Sequence, residues 1–152
     1  MAVPDAGVQI RPIRPSDYRT VIAVIDDWWG GRQSFLAAAS LPLDAAVDCY
    51  GAFVVGTPPE GMPLKVGPIV HLANDLSCPL LGLFGADDQH PSPDQVAELD
   101  KALTEAGKEH EFHTYEGAGH AFFAVNRPAY RPEAAVDGWE KILTWFGRYL
   151  IP

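Results

Sequence analysis

The chain has 152 residues, 47% of them hydrophobic and 20% charged, with a formal charge of −9. A domain of this length buries roughly 70% of the surface its unfolded form exposes, so a real core is expected and a disordered chain is excluded. With only 11 Lys and Arg, no broad basic surface exists to neutralise phosphates, which argues against nucleic acid or an anionic membrane as partner.

Residues 8–14, VQIRPIR, alternate apolar and polar side chains and suggest a short edge strand, weakened by Pro12. Ser16 offers an N-cap, and Tyr18, Val21, Ile22, Ile25, Trp28 and Trp29 share one helical face, which predicts a helix near 17–29 ended by Gly30-Gly31. A second helix is expected near 32–40, where Ala and Leu are good helix formers and Pro42 prevents continuation. Residues 43–50, LDAAVDCY, read as a short buried strand before Gly51. From 57 to 68 the chain carries Pro58, Pro59, Pro63 and Pro68 without periodicity, and is a loop.

The run 79–85, PLLGLFG, is apolar, too brief for a helix and closed by glycine, as a fully buried strand should be. Ser92, Pro93 and Gln95 give an N-cap, a first-turn proline and a capping-box partner. They open a helix near 93–106 that buries Val96, Leu99 and Leu103 and stops at Gly107. Residues 111–115, EFHTY, alternate as a half-buried strand. A last helix near 132–149 shows an apolar stripe of Val136, Trp139, Ile142, Leu143, Phe146 and Leu150. Strands alternating with helices imply an α/β fold with a parallel sheet.

No run of about 18 apolar residues exists to span a membrane, and the first residues lack the apolar core of a secretory signal. Cys49 and Cys78 each stand alone, so neither a zinc knuckle nor a redox CxxC is possible. His71, His90, His110 and His113 show no metal-ligand spacing. A cytoplasmic setting with no metal and no cofactor is expected.

In an open parallel sheet, ligands meet the carboxyl ends of the strands. Behind the 79–85 strand stands Ala86-Asp87-Asp88-Gln89-His90, and behind the 111–115 strand Gly117-Ala118-Gly119-His120. A carboxylate that fixes an imidazole tautomer and stabilises its cation, with the imidazole taking a proton from a nucleophile, is triad logic. Asp87 and Asp88 would equally serve as solvated loop acids capping the next helix. Cys49, at the carboxyl end of its strand, is a candidate thiol, although a lone cysteine in an Ala-Val strand is more often packing. Ser34 would need a base that nothing in the sequence places beside it.

Residues 30–150 resemble the C-terminal half of the dienelactone hydrolase family, through GGRQSFLAAAS, LDAAVDCYGAF, CPLLGLFGADDQHPSP, HEFHTYEGAGHAFF and RPEAAVDGWEKILTWFGRYL. The resemblance implies an incomplete α/β-hydrolase fold, with Asp88 as triad acid in the G-x-x-D loop and His120 as triad histidine in the A-G-H-x-F loop. The family's reactive cysteine sits in a G-x-C-x-G-G elbow. Here Gly30-Gly31 match its last two glycines, Trp28 falls on the cysteine and Asp26 on the first glycine, so the elbow nucleophile is missing. Residues 8–32 are similar to the first strand and helix of GNAT-type N-acetyltransferases, without their pyrophosphate loop, which suggests a chimera or truncation with residues 1–29 of different origin from 30–152.

Two functions follow as expectations. One is an ester or lactone hydrolase, impaired unless Cys49, a water or another chain supplies the nucleophile. The other is a non-catalytic remnant that binds a ligand or partner. Lacking an elbow strand beside it, the 43–50 strand has a bare edge unless residues 8–14 or a second molecule cover it, so a homodimer through this edge is expected.

Overall fold

The computed structural model describes residues 22–23 and 30–150. In chain order these form β1 (Ile22–Ala23), α1 (Gly30–Ser40), β2 (Ala46–Cys49), a 3-10 helix at Val70–Asp75, β3 (Leu80–Gly85), α2 (Pro93–Glu105), β4 (His110–Tyr115) and α3 (Pro132–Tyr149). The strands lie in the order β1-β2-β3-β4, each neighbouring pair parallel. The register sets Ala46 beside Leu80, and Leu80 beside His110. No helix among the described residues is long and apolar enough to cross a membrane.

The apolar runs of β2 and β3 are buried throughout because both faces of the sheet are covered. Alternation sends Ala46, Leu80 and Phe84 to the face packed by α1 and α2, where they meet Phe35, Leu99 and Leu103. Val47, Cys49, Leu81 and Leu83 point the other way, onto Phe122, Ile142 and Trp145 of the α3 side. The start of α2 is fixed by a complete capping box: Ser92 Oγ accepts from the Gln95 amide, and Gln95 Oε1 accepts from the Ser92 amide.

The expected elements recur within a few residues of their predicted limits, with three corrections. Within the helix predicted over 17–29, the described residues Ile22–Ala23 form a strand. Every position from 21 to 25 is apolar, so helical spacing is satisfied trivially, and the β-branched Val21, Ile22, Val24 and Ile25 favour extended chain. Gly30-Gly31, expected to end that helix, instead open α1. The strand predicted over 8–14 lies outside the described residues.

The second correction follows from the first. The edge of β2 that was expected to be bare carries β1 of the same chain, with Ile22 beside Ala46 and Ala23 beside Val47. The premise for a dimer through that edge is thereby weakened.

The third concerns α3, which buries Ala134, Ala135, Gly138, Ile142 and Trp145. Val136, Trp139 and Leu143 of the predicted stripe are 59%, 48% and 67% exposed. The helix has two apolar stripes, and the one with small residues packs because it allows the closer approach. A Cβ on Gly138 would stand 2.4 Å from the Phe123 ring. Accordingly, Ile142→Ala should cost about 2–5 kcal/mol in urea unfolding, whereas Leu143→Ala should change stability by less than about 0.5 kcal/mol. The opposite ranking would place the wrong face of α3 on the sheet.

Candidate active site

The site lies at the carboxyl ends of β2, β3 and β4, where each strand hands over to a loop. The loop after β3 is stitched to the loop after β4: the Ala86 amide donates to the Tyr115 carbonyl and the Asp87 amide to the Ala118 carbonyl, both at 2.9 Å. Gly85 makes this docking possible, since a Cβ there would stand 2.3 Å from the Ala118 carbonyl oxygen. Glycine at the end of PLLGLFG therefore does more than close a strand; it lets an acid loop and a histidine loop touch.

At their junction His120 Nδ1 lies 2.9 Å from Asp88 Oδ2. A carboxylate only accepts, so in the neutral imidazole this contact selects the tautomer with the proton on Nδ1 and the lone pair on Nε2. The other Asp88 oxygen accepts from the His90 amide at 2.8 Å, and the residue is 5% exposed. Both carboxylate oxygens are thus occupied and the group is held in one orientation. The His120 side chain keeps 28% of its surface exposed. Its ring lies edge-on to Tyr50, with centroids 5.0 Å apart. Tyr50 leaves β2 at a φ of 45° and Ala121 follows the histidine at 64°, a left-handed backbone that non-glycine residues adopt only where surroundings impose it.

Beside His120 opens a cleft of about 260 Å³ lined by Ala52, Phe53, Met62, Asp87, Asp88, Gln89 and His90. Phe53 also has a left-handed φ, 59°. Its carbonyl accepts from Arg32 of α1, whose second guanidinium nitrogen donates to the Gly67 carbonyl at 3.1 Å. The buried arginine clamps the proline-rich loop from both ends.

The sequence-predicted pair, Asp88 and His120, is brought together, whereas Asp87 is exposed beside it. Cys49 points into the α3-side core, 1% exposed. Burial first, then the neighbouring Asp48 charge, push its thiol pKa far up, so it stays a thiol and packing is the role the geometry gives it. Cys78 is raised to about 11, chiefly by burial. Ser34 is buried in α1 and donates to the Gly30 carbonyl at 3.1 Å. His110 bonds Asp100 and His113 bonds Glu111 on opposite faces of β4.

Sequence reasoning passed over Asp48, which is completely buried on the α1 face of β2. Its Oδ1 accepts from the Gly51 amide at 2.7 Å, and among the described residues its Oδ2 has no partner. A Cβ on Gly31 or Gly51 would stand 2.0 or 2.4 Å from its carboxyl oxygens, so the two glycines and the acid interlock. Burial raises its pKa to about 7, against the lowering effects of the Gly51 amide and of His120. An acid inside an otherwise apolar strand, three residues before Gly51, was the available signal.

The Dienelactone hydrolase family model matches residues 5–150. That span takes in the segment with the acetyltransferase-like pattern, a resemblance the comparisons do not support. A candidate carboxymethylenebutenolidase of Methylorubrum extorquens is 42% identical over 122 residues, 80% of this chain and 40% of that protein. One from Escherichia coli K12 is 40% identical over the same length, 80% of this chain and 44% of its own. The crystal structure of a candidate dienelactone hydrolase from Klebsiella pneumoniae superposes with a TM-score of 0.69 at 42% identity, covering 80% of this chain and 49% of the other. The chain spans less than half the length of these relatives.

Asp48 generates a pH prediction. Its folded pKa lies above its ordinary value of 3.8, so the folded protein holds a proton that the unfolded chain releases. This contribution is complete below about pH 4 and is lost as pH rises through about 7. Thermal unfolding should show stability falling across that window by an amount on the order of a few kcal/mol, and Asp48→Asn should flatten the fall. Superimposable profiles would contradict the assignment.

Proposed function

Because the chain belongs to the dienelactone hydrolase family, we propose that it carries the acid and base of an ester or lactone hydrolase, with Asp88 orienting and His120 accepting a proton. The observation that supports this is the 2.9 Å contact between His120 Nδ1 and Asp88 Oδ2 at the rim of the sheet. The segment is read as the C-terminal part of the fold, because acid and histidine follow β3 and β4 in the order the family motifs have.

The stretch in the place of the family's elbow motif reads Asp26-Asp27-Trp28-Trp29-Gly30-Gly31. An indole at the cysteine position cannot attack a carbonyl, and Cys49 is sealed in the core as a thiol. The chemistry left is general-base hydrolysis. His120 Nε2 removes a proton from a water, the resulting hydroxide adds to the ester carbonyl, and the same proton passes from the imidazolium to the departing alkoxide. Asp88 stabilises the imidazolium in between. Without a covalent nucleophile, this base contributes roughly 10²–10⁴-fold at most, so activity is weak. The competing reading is a domain that binds in the cleft without turnover, and the tryptophan at the elbow supports it.

Separate origin for residues 1–29 is likewise an inference. It rests on Asp26 and Trp28 replacing the glycine and cysteine of the elbow, while the family match from residue 5 argues for continuity. Self-association through the sheet edge would now have to use the outer side of β1.

With p-nitrophenyl acetate as substrate, His120→Ala should bring turnover to the uncatalysed rate and Asp88→Asn should reduce it about tenfold or more. Cys49→Ala should leave it unchanged. Equal rates in all four proteins would remove the hydrolase reading and leave the binding one. Loss in Cys49→Ala with its fold intact would restore that thiol as nucleophile.

A further inference from the structure

We propose that the outward apolar stripe of α3 is a docking surface for residues 8–14 of the same chain, VQIRPIR, held by Val136 and Trp139 and by the acids beside them. The stripe is the one that the sheet leaves unused. Val136 and Trp139 are exposed while Ala135, Gly138 and Ile142 of the same helix are buried. Pro132, Glu133, Val136, Asp137 and Glu140 line a groove of about 380 Å³ along it. Its floor is apolar and its rim is acidic.

The two flanks of α3 differ in what they meet. On the flank beside β4, Asp137 accepts from the Tyr115 hydroxyl at 2.8 Å and Arg148 pairs with Glu111 at 3.5 Å. At 3.6 residues per turn Trp139 falls on the opposite flank, the one turned toward β2 and β1. There it stands edge-on to Phe123, with ring centroids 6.0 Å apart. The chain that enters β1 is therefore well placed to cover it. β1 lies two strands from β3, about 10 Å, and residues 15–21 span up to roughly 25 Å between the proposed segment and Ile22. The reach suffices.

The chemistry of the segment matches the groove. Val8, Ile10 and Ile13 offer apolar side chains, and Arg11 and Arg14 offer cations, with no acid between residues 8 and 16. Glu133 and Glu140 stand about one helical turn to either side of Val136. Exposed ion pairs each add little; here their part is to select a basic segment on a chain whose formal charge is −9. Tethering supplies the rest. A short connection holds the segment at an effective concentration on the order of millimolar, so a contact too weak to join two molecules is populated within one.

A spin label on Gln9→Cys, in the full chain with 15N-labelled tryptophan, tests the docking, because Cys49 and Cys78 are buried and escape the label. The Trp139 indole N–H should lose its NMR signal to the label and regain it when the label is reduced. Arg11→Glu with Arg14→Glu should restore most of that signal, and adding Glu133→Arg with Glu140→Arg should remove it again. Spectra taken with the label reduced report, through the buried Trp145 indole, that each variant is folded. A Trp139 signal untouched by the label, or equally broadened with the arginines reversed, would overturn the proposal. Broadening in a mixture of 15N-labelled chain and separately spin-labelled chain would do the same, by giving the surface to a second copy.

Discussion

The docking of the loop after β3 onto the loop after β4 is the constraint on which the site depends. Two backbone hydrogen bonds and a glycine at the close approach fix where Asp88 and His120 stand. The side-chain contact between them is a consequence of that seam. With one Asp88 oxygen engaged by the His90 amide and the other by Nδ1, the carboxylate cannot turn away, and among the described residues the other imidazole nitrogen is left free. Parallel strands place both loops on one rim, so the acid and the histidine meet without any element beyond those that make the core.

Around this pair the structure departs from an ordinary hydrophobic domain in one consistent place, the carboxyl end of β2. Tyr50 and Phe53 hold left-handed backbones, Asp48 is buried with one oxygen unpartnered among the described residues, and Arg32 reaches from α1 to hold the loop beyond. Each feature costs stability in isolation. Together they bring Tyr50 against the His120 ring and Phe53 into the cleft, so the cost falls beside the acid–histidine pair.

Much of this was legible in the sequence. β3 and α2 announce themselves, one by an uninterrupted apolar run closed with glycine and the other by a complete capping box. The Asp88 and His120 loops follow from the positions of the glycines and the family motifs. What failed did so for identifiable reasons. At 21–25 an all-apolar run satisfies helical and extended periodicities alike, and only β-branching separates them. In α3 two apolar stripes compete, and the choice is made by how close Ala134, Ala135 and Gly138 allow Phe123 and the sheet to come, which periodicity does not encode. The settings of Asp48 and Arg32 and the Phe53–His90 ring contact arise from contacts between distant segments, and the second acid of LDAAVDCY, Asp48, was the one local hint.

The account turns on the protonation geometry of His120. Long-range 1H–15N NMR of the histidine side chains at mildly alkaline pH reads it directly. The account predicts the Nδ1–H tautomer for His120, with Nε2 showing the shift of an unprotonated nitrogen, and loss of that preference in Asp88→Asn. An Nε2–H tautomer, the form free imidazole side chains favour, would contradict it.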